Sequence, residues 1–154
     1  MAESDEYYMK QALKEAQKAF EEEEVPIGAV IVMQDKIIAR GYNQMEKLND
    51  STAHAEIIVL TSAYNFLGTK YLPLATLYVT IEPCFMCAGA LYWSKIARVV
   101  YGADDEKHGA LTLSDSPPGE GQRMRVLHPK TKIVKGIYKD ECIALMKTFF
   151  KARR

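Results

Sequence analysis

Cysteine is scarce in this sequence of 154 residues. There are three, too few and too odd in number for a disulfide framework. Long apolar runs are missing as well. The longest are broken by Pro73 or bounded by Glu82 and Lys95, short of the about 18–20 residues that a membrane span needs. The first residues lack the basic-then-apolar form of a signal peptide; Glu3, Asp5 and Glu6 make them acidic. Net charge is absent too, with 20 Lys+Arg against 20 Asp+Glu, so the overall balance singles out no partner. No internal repeat or linker interrupts the chain. Its length and its 48% hydrophobic content fit one domain, 1–154, with a core of its own. Two of the three cysteines form a Cys-x-x-Cys, which suits a reducing compartment, so a cytoplasmic protein clear of the membrane is expected.

The charge that is present is unevenly spread. Residues 1–60 carry 6 Lys+Arg against 12 Asp+Glu, and residues 61–154 carry 14 against 8. From Arg123 to Arg154 there are 10 basic residues, opposed only by Asp140 and Glu141. A basic terminal region is a footprint for a phosphate backbone, or else a solvated face.

Periodicity predicts alternating helices and strands. Met9, Ala12, Leu13, Ala16 and Phe20 repeat at helical spacing, giving a helix over 5–24 that Pro26 stops. A hairpin follows, 27–33 and 36–42 around Gln34-Asp35. Asp50, Ser51 and Thr52 offer N-caps for a helix running through His54 to about 66, which Gly68 ends. A strand over 75–81, a helix over 84–95 and a strand over 98–102 come next. Residues 103–129 read as irregular, broken by Pro117, Pro118, Gly119 and Gly121. A short strand at 132–134 and a closing helix over 140–154 complete the chain. Such alternation predicts an α/β fold with a sheet covered on both faces.

Two strings carry chemistry: His54-Ala55-Glu56 and Pro83-Cys84-Phe85-Met86-Cys87. They offer one imidazole and two thiols as metal ligands, with a carboxylate beside them. Three protein ligands leave tetrahedral zinc a fourth position at which water is activated. Both strings fall where a helix begins, and unpaired N–H groups there lower a thiol pKa. Glu56 is then placed to take a proton from water and deliver it to a substrate nitrogen. Alone, the Cys-x-x-Cys would equally fit a redox pair or two core thiols. A structural zinc site would need a fourth ligand from Cys142, His108 or His128, the other Cys and His residues.

In this order, and with Pro83 before Cys84, the strings match the signature of the zinc nucleobase deaminases. The chain resembles the bacterial tRNA-specific adenosine deaminases of the cytidine-deaminase-like superfamily. The resemblance runs through Glu24-Val25-Pro26-Ile27-Gly28-Ala29-Val30, Gly41-Tyr42-Asn43, the run 77–84, Met86-Cys87-Ala88-Gly89-Ala90, Asp105-Glu106-Lys107-His108-Gly109-Ala110 and Phe149-Phe150. Between Ala110 and Ile137 the chain departs from the family pattern. The resemblance implies a three-layer α/β/α fold with a central mixed five-stranded sheet. It implies one zinc ion per chain held by His54, Cys84 and Cys87, with Glu56 as the proton shuttle. Asn43, Ile27, Ala55, Pro83 and Asp105 would border the base. Phe149 and Phe150, mixed with Lys151, Arg153 and Arg154, form a combination that can stack unpaired bases and hold phosphates, with one Phe expected in the core and the other near RNA. It further implies adenosine-to-inosine conversion at the wobble position of a tRNA anticodon stem-loop, by a homodimer. Two other readings share parts of this pattern: a deaminase of a free base or nucleoside such as guanine or cytosine, and a zinc-stabilised RNA-binding module without catalysis.

Overall fold

The computed structural model describes residues 3–114 and 126–153. Pro117, Pro118, Gly119, Gly121, Arg123, Arg125 and Arg154 lie outside the described residues. Five strands form one mixed sheet in the order β2-β1-β3-β4-β5. These are β1 (Gly28–Met33), β2 (Lys36–Tyr42), β3 (Thr76–Ile81), β4 (Arg98–Ala103) and β5 (Lys132–Lys135). The β1–β2 and β1–β3 pairs are antiparallel, whereas β3–β4 and β4–β5 are parallel. Gln34 and Asp35 both adopt positive φ (51° and 61°), as a two-residue turn between twisted strands requires.

Strand side chains alternate between two apolar layers. Ala29, Ile31, Leu77, Val79, Val99 and Tyr101 face one side, where α3 (Ala55–Leu67) and α4 (Phe85–Ser94) supply Val59, Leu60, Ala63 and Leu91. Val30, Val32, Tyr78 and Val100 face the other, against Tyr8, Met9 and Ala12 of α1 (Asp5–Glu21). The closing helix α6 (Lys139–Lys151) covers the same side through Cys142, Ile143 and Met146, packed on Ile81 and Ala103. The result is the three-layer α/β/α sandwich that the sequence predicts. No helix among the described residues is long and apolar enough to cross a membrane.

Several boundaries differ from expectation for tertiary reasons. The first helix stops at Glu21, not at residue 24. Glu23 turns to φ 62°, and Glu24 leaves the helix to serve the short helix α2 (Met45–Leu48), which the sequence pattern did not announce. Asp50 does not cap α3; its Oδ1 takes the Thr52 N–H and hydroxyl in a local turn. The N-cap of α3 is His54 itself. Inside the stretch expected to be irregular, Ala110–Ser114 forms a short helix, α5.

Candidate active site

His54 and Cys84 occupy equivalent positions. Each is the N-cap of its helix with extended backbone (ψ 154° and 175°), and neither side chain caps its own helix. N-cap side chains ordinarily bond to the N–H groups of the first turn; here both are released and point at one another. Cys87 follows at the third position of α4, fully buried, so both sulfurs face the same space. His54 Nδ1 lies 3.6 Å from Cys84 Sγ and 3.5 Å from Cys87 Sγ, and all three donor atoms fall within 4.8 Å of one another.

These distances fit zinc. Bonds of about 2.3 Å to sulfur and about 2.0–2.1 Å to nitrogen, at tetrahedral angles, place S and N about 3.6 Å apart. The thiol chemistry fits as well. Hydrogen bonding from Cys87 holds the Cys84 thiol down to about 3, and the bond to His54 adds to this. The same Cys84 contact, together with burial, pushes Cys87 up. His54 is raised chiefly by its bond to Cys84. Among the described residues these three alone form a cluster of metal-ligand type. Cys142 is buried in α6 beside Gly102, and His128 packs on Tyr92. His108 is exposed in the loop after β4, and none of the three joins the cluster, so the fourth protein ligand that the structural-zinc reading needs is not found among the described residues.

Glu56 is the second residue of α3 and is 4% exposed. Burial pushes its carboxyl up to about 7, and the Cys84 charge adds to the rise, while its own backbone N–H, His54 and the Cys87 thiol oppose it. Ala55, fully buried, begins the same helix. Asn43 is buried at the end of β2, with its amide loosely engaged. Nδ2 donates to the Val25 carbonyl at 3.3 Å, and Oδ1 accepts the Met45 N–H at 3.4 Å. The Ile27 carbonyl accepts the Asn43 N–H, and the Ala53 carbonyl, next to His54, accepts the Gln44 N–H. Asn43 is thereby tied to the metal side of the sheet. Pro83 is buried, and its carbonyl accepts the Ala110 N–H. Asp105 turns its Oδ1 back onto the N–H groups of Lys107 and His108.

A cleft of about 540 Å³ gathers Asn43, Met45, Glu24, Phe149, Phe150 and Arg153. Phe149 is 6% exposed and packs edge-on against Phe20; Phe150 is 46% exposed. The Arg153 guanidinium lies 4.2 Å over the Phe149 ring and donates to the Glu23 carbonyl. The metal ligands and Glu56 do not line this cleft.

Two buried carboxylates belong to motifs of the sequence yet carry no role in the reading above. Glu24 accepts the Glu46 and Lys47 N–H groups at 3.0 and 2.7 Å, starting α2 directly after Asn43. Glu82 accepts three donors from residues 105 and 112. The only hint in the sequence is an acid beside a proline-containing turn.

Comparison with known proteins agrees with this geometry. Residues 2–103 match the family model of the cytidine and deoxycytidylate deaminase zinc-binding region. A tRNA-specific adenosine deaminase of Bacillus subtilis (strain 168) is 47% identical over 150 residues, covering 97% of this chain and 91% of that protein. A solved structure from a study of A-to-I editing by tRNA:A34 deaminases at the wobble position of transfer RNA has a TM-score of 0.78 at 41% identity, covering 90% of this chain and 98% of that one. A guanine deaminase from Bacillus subtilis has a TM-score of 0.64 at 38% identity over 66% of either chain. The chain therefore belongs to the cytidine and deoxycytidylate deaminase zinc-binding family, in its tRNA-specific adenosine deaminase branch.

Proposed function

We propose that this chain is a zinc-dependent tRNA deaminase that converts adenosine to inosine at the wobble position of the anticodon. The observation that carries the reading is the pair of released N-caps, His54 and Cys84, converging with Cys87 beside a buried acid that no ion pair among the described residues consumes. Bound zinc supplies a Lewis acid that activates water for attack on the amidine carbon of the base. Glu56 would take a proton from that water and pass it to N1 of adenine, opening the amidine carbon to attack, and would then carry the proton of the added hydroxyl to the exocyclic amine, which leaves as ammonia. Burial favours the protonated form of this carboxyl, the form that donates to a base nitrogen. Asn43 turns its weakly held amide to the purine edge. Ile27, Ala55 and Pro83 form the dry surroundings of the base, and Asp105 shapes the loop beside it. Phe150 and the Phe149–Arg153 stack receive neighbouring nucleotides by stacking and phosphate contact. The tRNA branch to which the chain belongs, together with its basic C-terminal third, favours RNA over a free base.

A second reading, free-base deamination, has one observation in its favour, the likeness to a guanine deaminase. One experiment separates the two. The zinc-loaded protein is given an anticodon stem-loop RNA, free guanine, cytosine and adenosine in parallel. Inosine in the stem-loop is the expected result; ammonia from a free base with an unmodified stem-loop refutes the first reading.

We further take residues 1–154 as one deaminase domain working as a cytoplasmic homodimer. The single sheet and the 97% coverage by a relative support the first part. For the second, α4 turns Phe85, Met86 and Trp93 outward, Trp93 at 73% exposure, next to the metal ligands that the same helix provides. Thiolate ligands suit a reducing compartment.

A further inference from the structure

Glu82 stands between the end of β3 and Pro83-Cys84. Its side chain is 3% exposed, and both carboxylate oxygens are engaged. Oε1 accepts the Asp105 N–H at 3.0 Å and the Thr112 hydroxyl at 2.6 Å, while Oε2 accepts the Thr112 N–H at 2.8 Å. One donor, Asp105, lies in the loop after β4, and the other two belong to Thr112 in α5. Two main-chain links reinforce the seam. The Ala110 N–H donates to the Pro83 carbonyl at 2.9 Å, and Cys84 forms an isolated bridge with Gly109. Gly109 packs so closely that an added Cβ would overlap the Glu82 carboxyl. Asp105 then folds the tip of the loop onto its own backbone.

The chemistry of this seam is specific. A buried carboxylate is costly unless donors satisfy it, and an apolar side chain would fill the same space at less cost. What the acid alone provides is acceptance of a backbone N–H at each end of the loop. α5 has five residues, too few to hold itself in water. The position of residues 104–109 therefore depends on Glu82, and Glu82 immediately precedes the segment that delivers the first thiol ligand.

We propose that Glu82 is a positioning residue for the RNA substrate, fixing the loop 104–109 beside the metal centre through Asp105 and Thr112 while touching neither substrate nor metal. This rests on the functional reading given above. A loop that is correctly placed only a tenth of the time weakens apparent affinity about tenfold and leaves the chemical step alone.

The test uses the zinc-loaded full chain and an anticodon stem-loop RNA. In Glu82→Gln one acceptor becomes an NH2 group that opposes the Thr112 N–H. Amide hydrogen exchange across 105–112 is expected to quicken by about tenfold or more, KM to rise about tenfold, kcat to stay within about threefold, and zinc content to hold. Unchanged exchange across that stretch overturns the proposal. So does loss of kcat at constant KM, the mark of a protein that is merely less stable. Thr112→Ala removes the hydroxyl donor alone and carries the same test where Glu82→Gln fails to fold: exchange quickens and KM rises by a smaller factor, and Thr112→Ser restores both. The wild-type arm keeps the two inferences apart. Wild type that spares the stem-loop but turns over free guanine refutes the functional reading and, with it, the RNA role of Glu82. Wild type that makes inosine, beside variants with unaltered KM, refutes this proposal alone.

Discussion

Replacing Glu56 with glutamine should inactivate the zinc-loaded protein and, above neutral pH, make the metal-free protein more stable. The fold raises the Glu56 carboxyl from 4.5 to about 7, chiefly by burial. A raised folded-state value means that the folded chain holds this proton more tightly than the unfolded chain does. The stabilisation is complete below about 4.5 and is lost as pH climbs through about 7, where the native protein must carry a buried carboxylate. The size of the loss, at about 1.4 kcal/mol per pH unit, is about 3 kcal/mol. Glutamine has nearly the same shape and does not ionise, so Glu56→Gln escapes the penalty. Urea unfolding of chelator-treated wild type and Glu56→Gln, with thiols kept reduced, at pH 5 and pH 8 isolates the effect as a difference between the two proteins. The variant should gain about 2.5 kcal/mol relative to wild type across that interval, since a little of the loss already falls below pH 5. In the zinc-loaded protein the same substitution should lower kcat about 10²–10⁴-fold, the usual worth of a positioned proton carrier, with zinc content unchanged. Parallel pH profiles for the two proteins would refute the argument that the site holds its acid desolvated.

Other expectations follow from particular contacts. Gly28→Ala should destabilise the protein by about 1–3 kcal/mol in thermal or chemical unfolding, because an added Cβ overlaps the Ala12 carbonyl and the Ala16 amide of α1 and forces the helix off the sheet. Asn43→Ala should lower kcat/KM on stem-loop RNA about tenfold to a hundredfold, about 1–3 kcal/mol of lost hydrogen bonding, without altering zinc content. Trp93→Asp should shift the protein from dimer to monomer in sedimentation, since it charges the most exposed aromatic of α4.

The parts of the molecule that could be read from sequence are those whose cause is local. The β1–β2 hairpin follows from alternation around Gln34-Asp35, and Gly68 closes α3 with φ 66°. His54, Cys84 and Cys87 were legible because their residue types and spacing are themselves the chemistry. What escaped has partners far along the chain. Residues 21–24 read as the last turn of the first helix, yet Glu24 lies beyond the helix end at 1% exposure, and the N–H groups it accepts come from residues 46 and 47. The helix α2 and the true end of α1 both depend on that link. Asp50, Ser51 and Thr52 were each good caps by type, but the cap of α3 had to be the residue that faces Cys84 across the sheet edge. The short helix α5 was hidden for the same reason: the acid that starts it, Glu82, lies thirty residues earlier, just past the end of β3.

The order in which the sheet is laid down also decides when the protein can acquire its metal. His54 leaves the ribosome well before Cys84, and β3, which precedes the thiols, lies between β1 and β4 in the finished sheet. A nascent chain can offer an imidazole or a pair of sulfurs, but the full set of three meets only after β3 has docked against β1. Zinc uptake is then a clock for tertiary assembly: ion capture during refolding should lag behind hairpin formation and coincide with closure of the central strands.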